Sequence, residues 1–494
     1  MTHLSLSRPG ARHRGAVGAW HRVLALTILT AATVAAQQAP DRSKPPMPGP
    51  APALTLPQVQ KLTLGNGLRV WLLEHHEVPL VQANLVVLSG ASADVPGQFG
   101  AASMTAAMLD EGAAGKAALA LADEVEFLGA QLGTGASFDA SAVRMSTPAA
   151  RLSDALALLA QVALTPDFPP QELERLKTER LTALLQARDD PPTLAGLAFP
   201  RLLYGPEHRY GTSANGTETS LKALGVDQLR GFHRGHYRPD NAVLIVVGDV
   251  TLATLRPLVD ARFGAWKAAG PAAPPFPVRA SPQPGKRQIY IVDKPGAAQS
   301  QIRIGLVGVP RSTPDYTALD VWNTILGGSF TSRLNQNLRE KNGYSYGASS
   351  RFDMRGSAGP FQAGAGVQTD KTADALKEFF NELNGMLQPI PADELDKAKN
   401  YSALSFPGEF ETTGQLALKL EEMAVYQLPD DVFTGYVGQV QKVTAADMAR
   451  VAKNYLLMDR LAVVVVGDRA TIEAPIRATN LGPVTIVPVD DVMR

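Results

Sequence analysis

The chain of 494 residues contains no cysteine. That excludes disulfides, thiolate metal sites and a lipid-anchored cysteine exposed by processing. Net charge is also absent, with 47 Lys+Arg against 47 Asp+Glu. Without an excess of either sign there is no electrostatic ground for nucleic acid or an anionic membrane surface as the main partner. Histidine is scarce, eight in all and none after His236, so the second half has no imidazole to offer a metal or a catalytic triad. The N-terminal apolar run from Val23 to Val34 is about half the ~20 residues that a membrane span needs.

What is present reads as an ordinary globular composition, 45% hydrophobic and 19% charged, long enough for roughly two to four domains. Arg8, Arg12, Arg14 and Arg22 precede the apolar run, and Val34-Ala35-Ala36 closes it before Gln37. The pattern predicts a secretory signal peptide over 1–36 and an exported product, periplasmic or extracellular, without stable membrane insertion. The prolines of 37–57 favour an extended tether. A second proline-rich stretch, "GPAAPPFPVRASPQPG" at 270–285, reads as a linker between an N-terminal domain, 58–269, and a C-terminal domain, 286–494.

The two parts read as repeats. "DNAVLIVVGDV" (Asp240 to Val250) ends the first and "DRLAVVVVGDR" (Asp459 to Arg469) ends the second. Each is an apolar strand closed by Gly-Asp after a helical stretch, which points to internal duplication. The first part opens on strands, Val59 to Leu64 and Leu68 to Leu73 around the Asn66-Gly67 hairpin signal, then Ala83 to Leu88. Asp154 to Val162, Pro170 to Arg188 and Ser220 to Arg234 carry apolar residues at helical spacing. Strands, then helices, then a terminal strand predict an α+β class: two homologous α/β sandwich halves, each an antiparallel or mixed sheet packed with helices.

After the third strand comes "GAASMTAAMLDEGA" (Gly100 to Ala113), at the start of an amphipathic helix. Much later stands "GGSFTSRLNQNLREKNGYSYG" (Gly327 to Gly347). Together with the repeated halves, these segments make the chain from about Val59 to about Val487 resemble the insulinase/pitrilysin family of zinc peptidases. In that family the first helix carries an inverted zinc motif, H-x-x-E-H, introduced by G-x-A. Two histidines coordinate zinc, the glutamate activates water, and a third ligand, also a glutamate, follows about 75 residues on, near an acidic D-D-P turn.

Here the frame is kept as Gly100-x-Ala102 and the turn as Asp189-Asp190-Pro191. The positions of the ligands and base hold Ser103, Ala106, Ala107 and, at or near the third ligand, Ala183. A catalytic zinc needs three protein donors and an open water position, and alanine offers no donor. The expectation is a non-catalytic member with no catalytic residue, metal or cofactor of its own. The family's two-subunit assemblies imply a zinc-bearing sister as partner, the zinc residing there, and a peptide as substrate. By the same resemblance Arg339 and Tyr346 face the zinc site across the substrate chamber and bind the peptide backbone, aiding polarisation of the carbonyl. The bland reading is a surface arginine at a helix C-terminus and a core tyrosine. Two rival functions stand beside this one: a structural or peptide-binding scaffold without a peptidase role, and an autonomous metalloendopeptidase with an unrecognised site.

Two other motifs are read against their context. Glu74-His75-His76-Glu77 lies on a strand, where neighbouring side chains point to opposite faces, so it predicts a solvated strand end rather than a metal centre. Gly343 to Gly347, "GYSYG", matches the G-x-S-x-G elbow of serine hydrolases. That elbow needs a strand before it, a helix after it and a downstream histidine, whereas here the order is helix then strand and no histidine follows.

Overall fold

The computed structural model describes residues 49, 54–270, 278 and 280–493. The expected signal peptide, most of the tether and half of the linker lie outside the described residues.

Six strands form the first sheet: β1 (Gln60–Thr63), β2 (Arg69–Glu74), β3 (Leu80–Val87), β4 (Gln131–Ala136), β5 (Ser141–Pro148) and β6 (Ala242–Gly248). The second holds β7 (Gln288–Asp293), β8 (Gln299–Val307), β9 (Ser345–Phe352), β10 (Pro360–Gln368), β11 (Ala462–Gly467) and β12 (Val484–Val487). Their orders are β1-β2-β6-β3-β5-β4 and β9-β10-β8-β11-β7-β12. In the first, β2 runs parallel to β6, and β6–β3, β3–β5 and β5–β4 are antiparallel. In the second, β7–β11 is parallel, and β11–β8, β8–β10 and β10–β9 are antiparallel. Five strands of each sheet therefore share one order and one set of directions, and the fold is the expected α+β pair of sandwich halves. The edge strands differ: β1 pairs antiparallel to β2, whereas β12 pairs parallel to β7.

Helices follow the strands. α1 spans Ala101–Ala107, α2 Leu152–Leu164, α3 Pro170–Ala187 and α4 Pro191–Tyr204. The helix expected over Ser220 to Arg234 is two helices, α5 (Glu218–Ala223) and α6 (Val226–His236). Leu224 and Gly225 are extended. Leu224 is buried, and the Gly225 N–H is taken by the Gln228 side chain at 3.0 Å, so a fresh N-terminus begins where apolar periodicity alone suggested continuity. In the second half come α7 (Tyr316–Asn323), α8 (Thr372–Gly385), α9 (Ala392–Ser405) and α10 (Thr413–Tyr426).

The central strands explain the two apolar runs of the sequence. β6 is buried at every position, and its two faces meet different partners. Ala242, Leu244 and Val246 belong to the core formed with the first half's own helices. Val243, Ile245 and Val247 share a core with Leu416, Ala417, Leu420 and Met423 of α10, a helix of the second half. β11 mirrors this arrangement. Val463 and Val465 face the second half's own helices, while Val464 and Val466 pack with Leu194, Ala195, Ala198 and Phe199 of α4, a helix of the first half. Each half thus lends one helix to cover the open face of the other's sheet, and a strand covered on both faces reads as a continuous apolar run. One polar cluster marks the exchange: Glu421 of α10, only 7% exposed, accepts from Arg144 Nε at 2.8 Å, Arg144 Nη2 at 2.6 Å and Asn84 Nδ2 at 2.6 Å. The described residues from Leu54 onward fall in one compact unit.

Candidate functional site

The frame of the metal helix is built before the helix starts. Gly100 sits at φ +96°, and a Cβ on it would lie 2.7 Å from the Asn215 carbonyl oxygen, so only glycine makes this entry without displacing the neighbouring loop. Asp94 receives the freed N–H groups: Gly100 N donates to Oδ2 at 2.7 Å and Ala102 N to Oδ1 at 2.8 Å. The same carboxylate pairs with Arg209 Nη2 at 3.0 Å. Both partners are almost fully buried. Arg209 also donates to the Ala91 carbonyl at 2.6 Å and the Thr212 hydroxyl at 2.7 Å. Burial pushes the Asp94 carboxyl up, against the pull of Arg209 and the two N–H donors. A buried charge is tolerated only when paired and hydrogen-bonded in this way.

On this frame the structure places Ser103, Ala106 and Ala107 on α1 and Ala183 on α3. Ser103 and Ala106 are buried, Ala107 is half-buried and Ala183 is exposed. The Ser103 hydroxyl is already engaged, donating to Asn215 Oδ1 at 2.7 Å. Arg180, one turn before Ala183 on α3, reaches across to α1 and donates from Nη2 to the Ser103 carbonyl at 3.0 Å. Its Nη1 is buried without a partner, and burial lowers the guanidinium pKa. Zinc does not fit here. One hydroxyl is spent, three positions have no donor, and a fixed cation stands on the helix that would bring the third ligand. Arg180 escaped notice in the sequence because its contact with α1 spans 77 positions and has no local signature.

Arg339 and Tyr346 lie on a separate, tightly held platform in the second half. Arg339 belongs to a wide π-helical stretch, Gln336–Lys341, a form often found at functional positions. Its guanidinium lies 4.5 Å from the Phe330 ring centroid and 3.3 Å from Glu340 Oε1. Tyr346 is 91% exposed. The β9–β10 register shifts between Ser345 and Ala348, so the bulge carries Tyr346 out of the sheet. It is not a core tyrosine. Beneath the pair, Asn335 donates to the Phe330 carbonyl at 2.6 Å and accepts from Ala348 N at 3.2 Å. Asn337 donates to Glu378 at 2.8 Å and Glu382 at 2.5 Å on α8, and Arg333 grips Glu394 of α9 through two bonds of 2.7 and 2.6 Å. Among the described residues no hydrogen bond or ion pair joins Arg339 or Tyr346 to α1 or α3.

The remaining motifs settle into structural roles. His76 bridges two carboxylates, Asp249 at 2.7 Å and Glu74 at 3.2 Å, which raise its pKa. His75 points elsewhere, toward Glu77 at 3.9 Å. No cluster of three or more His, Asp or Glu arranged to hold a metal occurs among the described residues. Ser345 opens β9 after a helical stretch, and its hydroxyl donates to the Gly347 carbonyl at 2.7 Å. Asp190 caps α4 by accepting from Thr193 N at 2.9 Å.

Comparison with known proteins agrees with this frame. The family model described as insulinase (peptidase family M16) matches residues 69–194, and that of the peptidase M16 inactive domain matches 223–402. A crystal structure of a peptidase M16 inactive domain from Pseudomonas fluorescens superposes with a TM-score of 0.77 at 29% identity, covering 83% of this chain and 98% of that one. Among curated relatives, two come from one strain of Helicobacter pylori. The non-peptidase homolog YmxG is 24% identical over 80% of this chain and 91% of its own length. The zinc protease PqqE is also 24% identical, over 81% of this chain and 90% of its own length. With its paired sheets and a metal helix framed by Gly100 but stripped of donors, the chain belongs to the insulinase family of peptidases, family M16.

Proposed function

We propose that this chain is the non-catalytic subunit of an exported insulinase-family metallopeptidase, paired with a zinc-bearing sister and contributing Arg339 and Tyr346 to the grip on the peptide. The observation that carries the reading is the contrast between the two sites. On α1 and α3 the ligand and base positions are filled by Ser103, Ala106, Ala107 and Ala183, and Arg180 is fixed beside them. At the other site a half-buried guanidinium, Arg339, and an exposed phenol, Tyr346, stand on a braced platform. Tyr346 has nothing to do for the fold that a smaller residue would not do. The presence of both a zinc protease and a non-peptidase homolog in one Helicobacter pylori strain supports a division of labour between two such chains.

In this reading the sister supplies the zinc and its activated water. The residues of this chain hold the peptide backbone and donate toward the carbonyl oxygen as charge develops there. Preorganisation on the Asn335 and Asn337 network keeps that donation from costing reorganisation at the moment of reaction.

The test is reconstitution with a sister chain that carries H-x-x-E-H. Dialysed alone, this chain is expected to hold no stoichiometric zinc and to cleave no peptide. With the sister it is expected to co-elute on size exclusion through an interface above ~1,000 Å² and to support hydrolysis. Tyr346→Phe in the assembled complex should lower kcat by ~10²-fold, the scale of losing one oxyanion donor. Arg339→Ala should raise KM as well, because it removes a contact made in both ground and transition states. An intact complex with unchanged kcat/KM in both variants would establish the scaffold role instead.

A further inference from the structure

The second half contains a polar cavity at the place its topology makes the counterpart of α1. α7 follows β8 as α1 follows β3. The cavity has a volume of about 550 Å³ and lies between α7, the loop after β8, the end of edge strand β9 and the exchanged helix α10. Its floor is Arg311, only 6% exposed. The guanidinium lies against the Tyr316 ring, 3.7 Å from its centroid. Nε donates to Glu422 of α10 at 2.7 Å, and the backbone N–H of Arg311 is fixed by the Arg355 carbonyl at 2.8 Å. The side chain is therefore clamped, yet its two terminal nitrogens have no acceptor among the described residues and are not sealed from the cavity. Leaving donors of a buried guanidinium unmatched is unfavourable unless something reaches them.

The lining carries two arginines, Arg311 and Arg351, and three carboxylates, Asp320, Asp353 and Glu422. Arg351, exposed at its rim, has no carboxylate partner among the described residues. The acidic groups are committed. Glu422 takes Arg311 Nε, Asp353 pairs with Arg355, and Asp320 accepts from the Tyr436 hydroxyl while burial raises its pKa. Leu319, Phe352 and Met354 supply an apolar wall. A clamped arginine with free terminal donors, a second arginine at the mouth and an apolar wall match a carboxylate carried on an apolar group. A guanidinium presents its donors in the fork that a carboxylate accepts.

We infer that this cavity binds a carboxylate of a peptide, held by Arg311 and steered by Arg351. That the carboxylate belongs to a peptide rests on the reading of the chain as a peptide-gripping subunit; the carboxylate chemistry itself does not.

Calorimetric titration of the full chain, without any sister subunit, tests it. Three probes are compared: N-acetyl-Ala-Ala-Leu with a free C-terminus, the same peptide as its C-terminal amide, and the amidated N-acetyl-Ala-Glu-Ala. The free acid is expected to bind about tenfold more tightly than its amide, the scale of a lost charge-assisted hydrogen bond. If the glutamyl peptide binds instead, the carboxylate recognised is a side chain, and the site stands. Arg351→Gln, at an exposed position without a structural partner, should weaken binding about threefold, as expected for a rim charge, with unchanged melting temperature. Arg311→Gln should abolish binding. Equal binding of acid and amide, or full affinity in folded Arg351→Gln and Arg311→Gln variants, would overturn the site. Because no sister is present, failure here leaves the reconstitution experiment untouched, and failure there leaves this result standing.

Discussion

At the scale of single residues, the chain keeps the geometry of a metal site and discards its chemistry. Gly100 and Asp94 still set the entry of α1, while the zinc-ligand positions carry Ser103, Ala107 and Ala183 and the base position Ala106. Positions without donors answer to packing alone, but the helix must still enter its core at the same angle. Gly100→Ala is therefore expected to destabilise the protein by about 2 kcal/mol or more. It forces a Cβ onto φ +96° and to within 2.7 Å of a backbone oxygen, and strain of this kind costs about 1–3 kcal/mol before any clash. Urea unfolding of the variant beside the parent measures it, and an unchanged midpoint would show that the Asn215 loop yields freely. The missing ligands and the retained glycine were legible because they stand at fixed local spacing. Asp94, Arg209 and Arg180 were not, because each acts on α1 through contacts that only the folded chain brings together.

At the scale of elements, α6 carries a pH dependence of defined sign. His233 Nε2 donates to the Ala163 carbonyl of α2 at 2.8 Å, its ring stacks on Tyr237 at 4.6 Å, and burial lowers its pKa below 6.5. His236 is shifted the same way by burial. The unfolded chain takes up protons as pH falls through about 6.5 while the folded one resists. Stability therefore drops between pH 6.5 and the lower folded pKa, by at most about 1.4 kcal/mol per pH unit for each site. His76 runs the other way. Its pKa is raised by Asp249 and Glu74, so its contribution is complete below pH 6.5 and fades as pH rises through the folded value. Replacing His233 with Gln should flatten the decline between pH 6.5 and 5 in urea-unfolding series, whatever it does to stability at pH 8. An unchanged slope would mean that His233 is protonated in the fold. Apolar spacing located this helix but merged it with α5, because periodicity does not register a cap formed by Gln228 on Gly225.

Across the whole molecule the exchange of α4 and α10 makes the halves interdependent. Each would leave one face of its sheet uncovered if separated, including Val243, Ile245 and Val247 in the first and Val464 and Val466 in the second. At about 1.5–3 kcal/mol for each buried aliphatic side chain, losing such a face is comparable to the net stability of an ordinary domain. Expressed alone, residues 54–270 and 280–494 are expected to aggregate or to lack fixed tertiary packing, whereas co-expressed they should form a folded non-covalent complex. Near-ultraviolet circular dichroism of the fragments and of their mixture decides it, and a natively packed single fragment would count against the interlock. Within the intact chain, Glu421→Ala should cost about 1–3 kcal/mol, because Arg144 and Asn84 lose their shared acceptor across the seam.

The sequence by itself determined the α+β class, the two apolar central strands, the family frame at Gly100 and the absence of zinc donors, since each is written in local periodicity, turn chemistry or fixed spacing. What only the tertiary structure decided involves residues far apart in the chain. The Arg180 cation placed at the vacated ligand positions, the free donors of Arg311 beneath a cavity, and the trade of α4 for α10 all depend on which faces meet. Two halves with the same strand pattern can cover their sheets with their own helices or with each other's. Local sequence cannot tell these apart, because an apolar helix face fits either sheet until the connections and the Glu421 contacts select one.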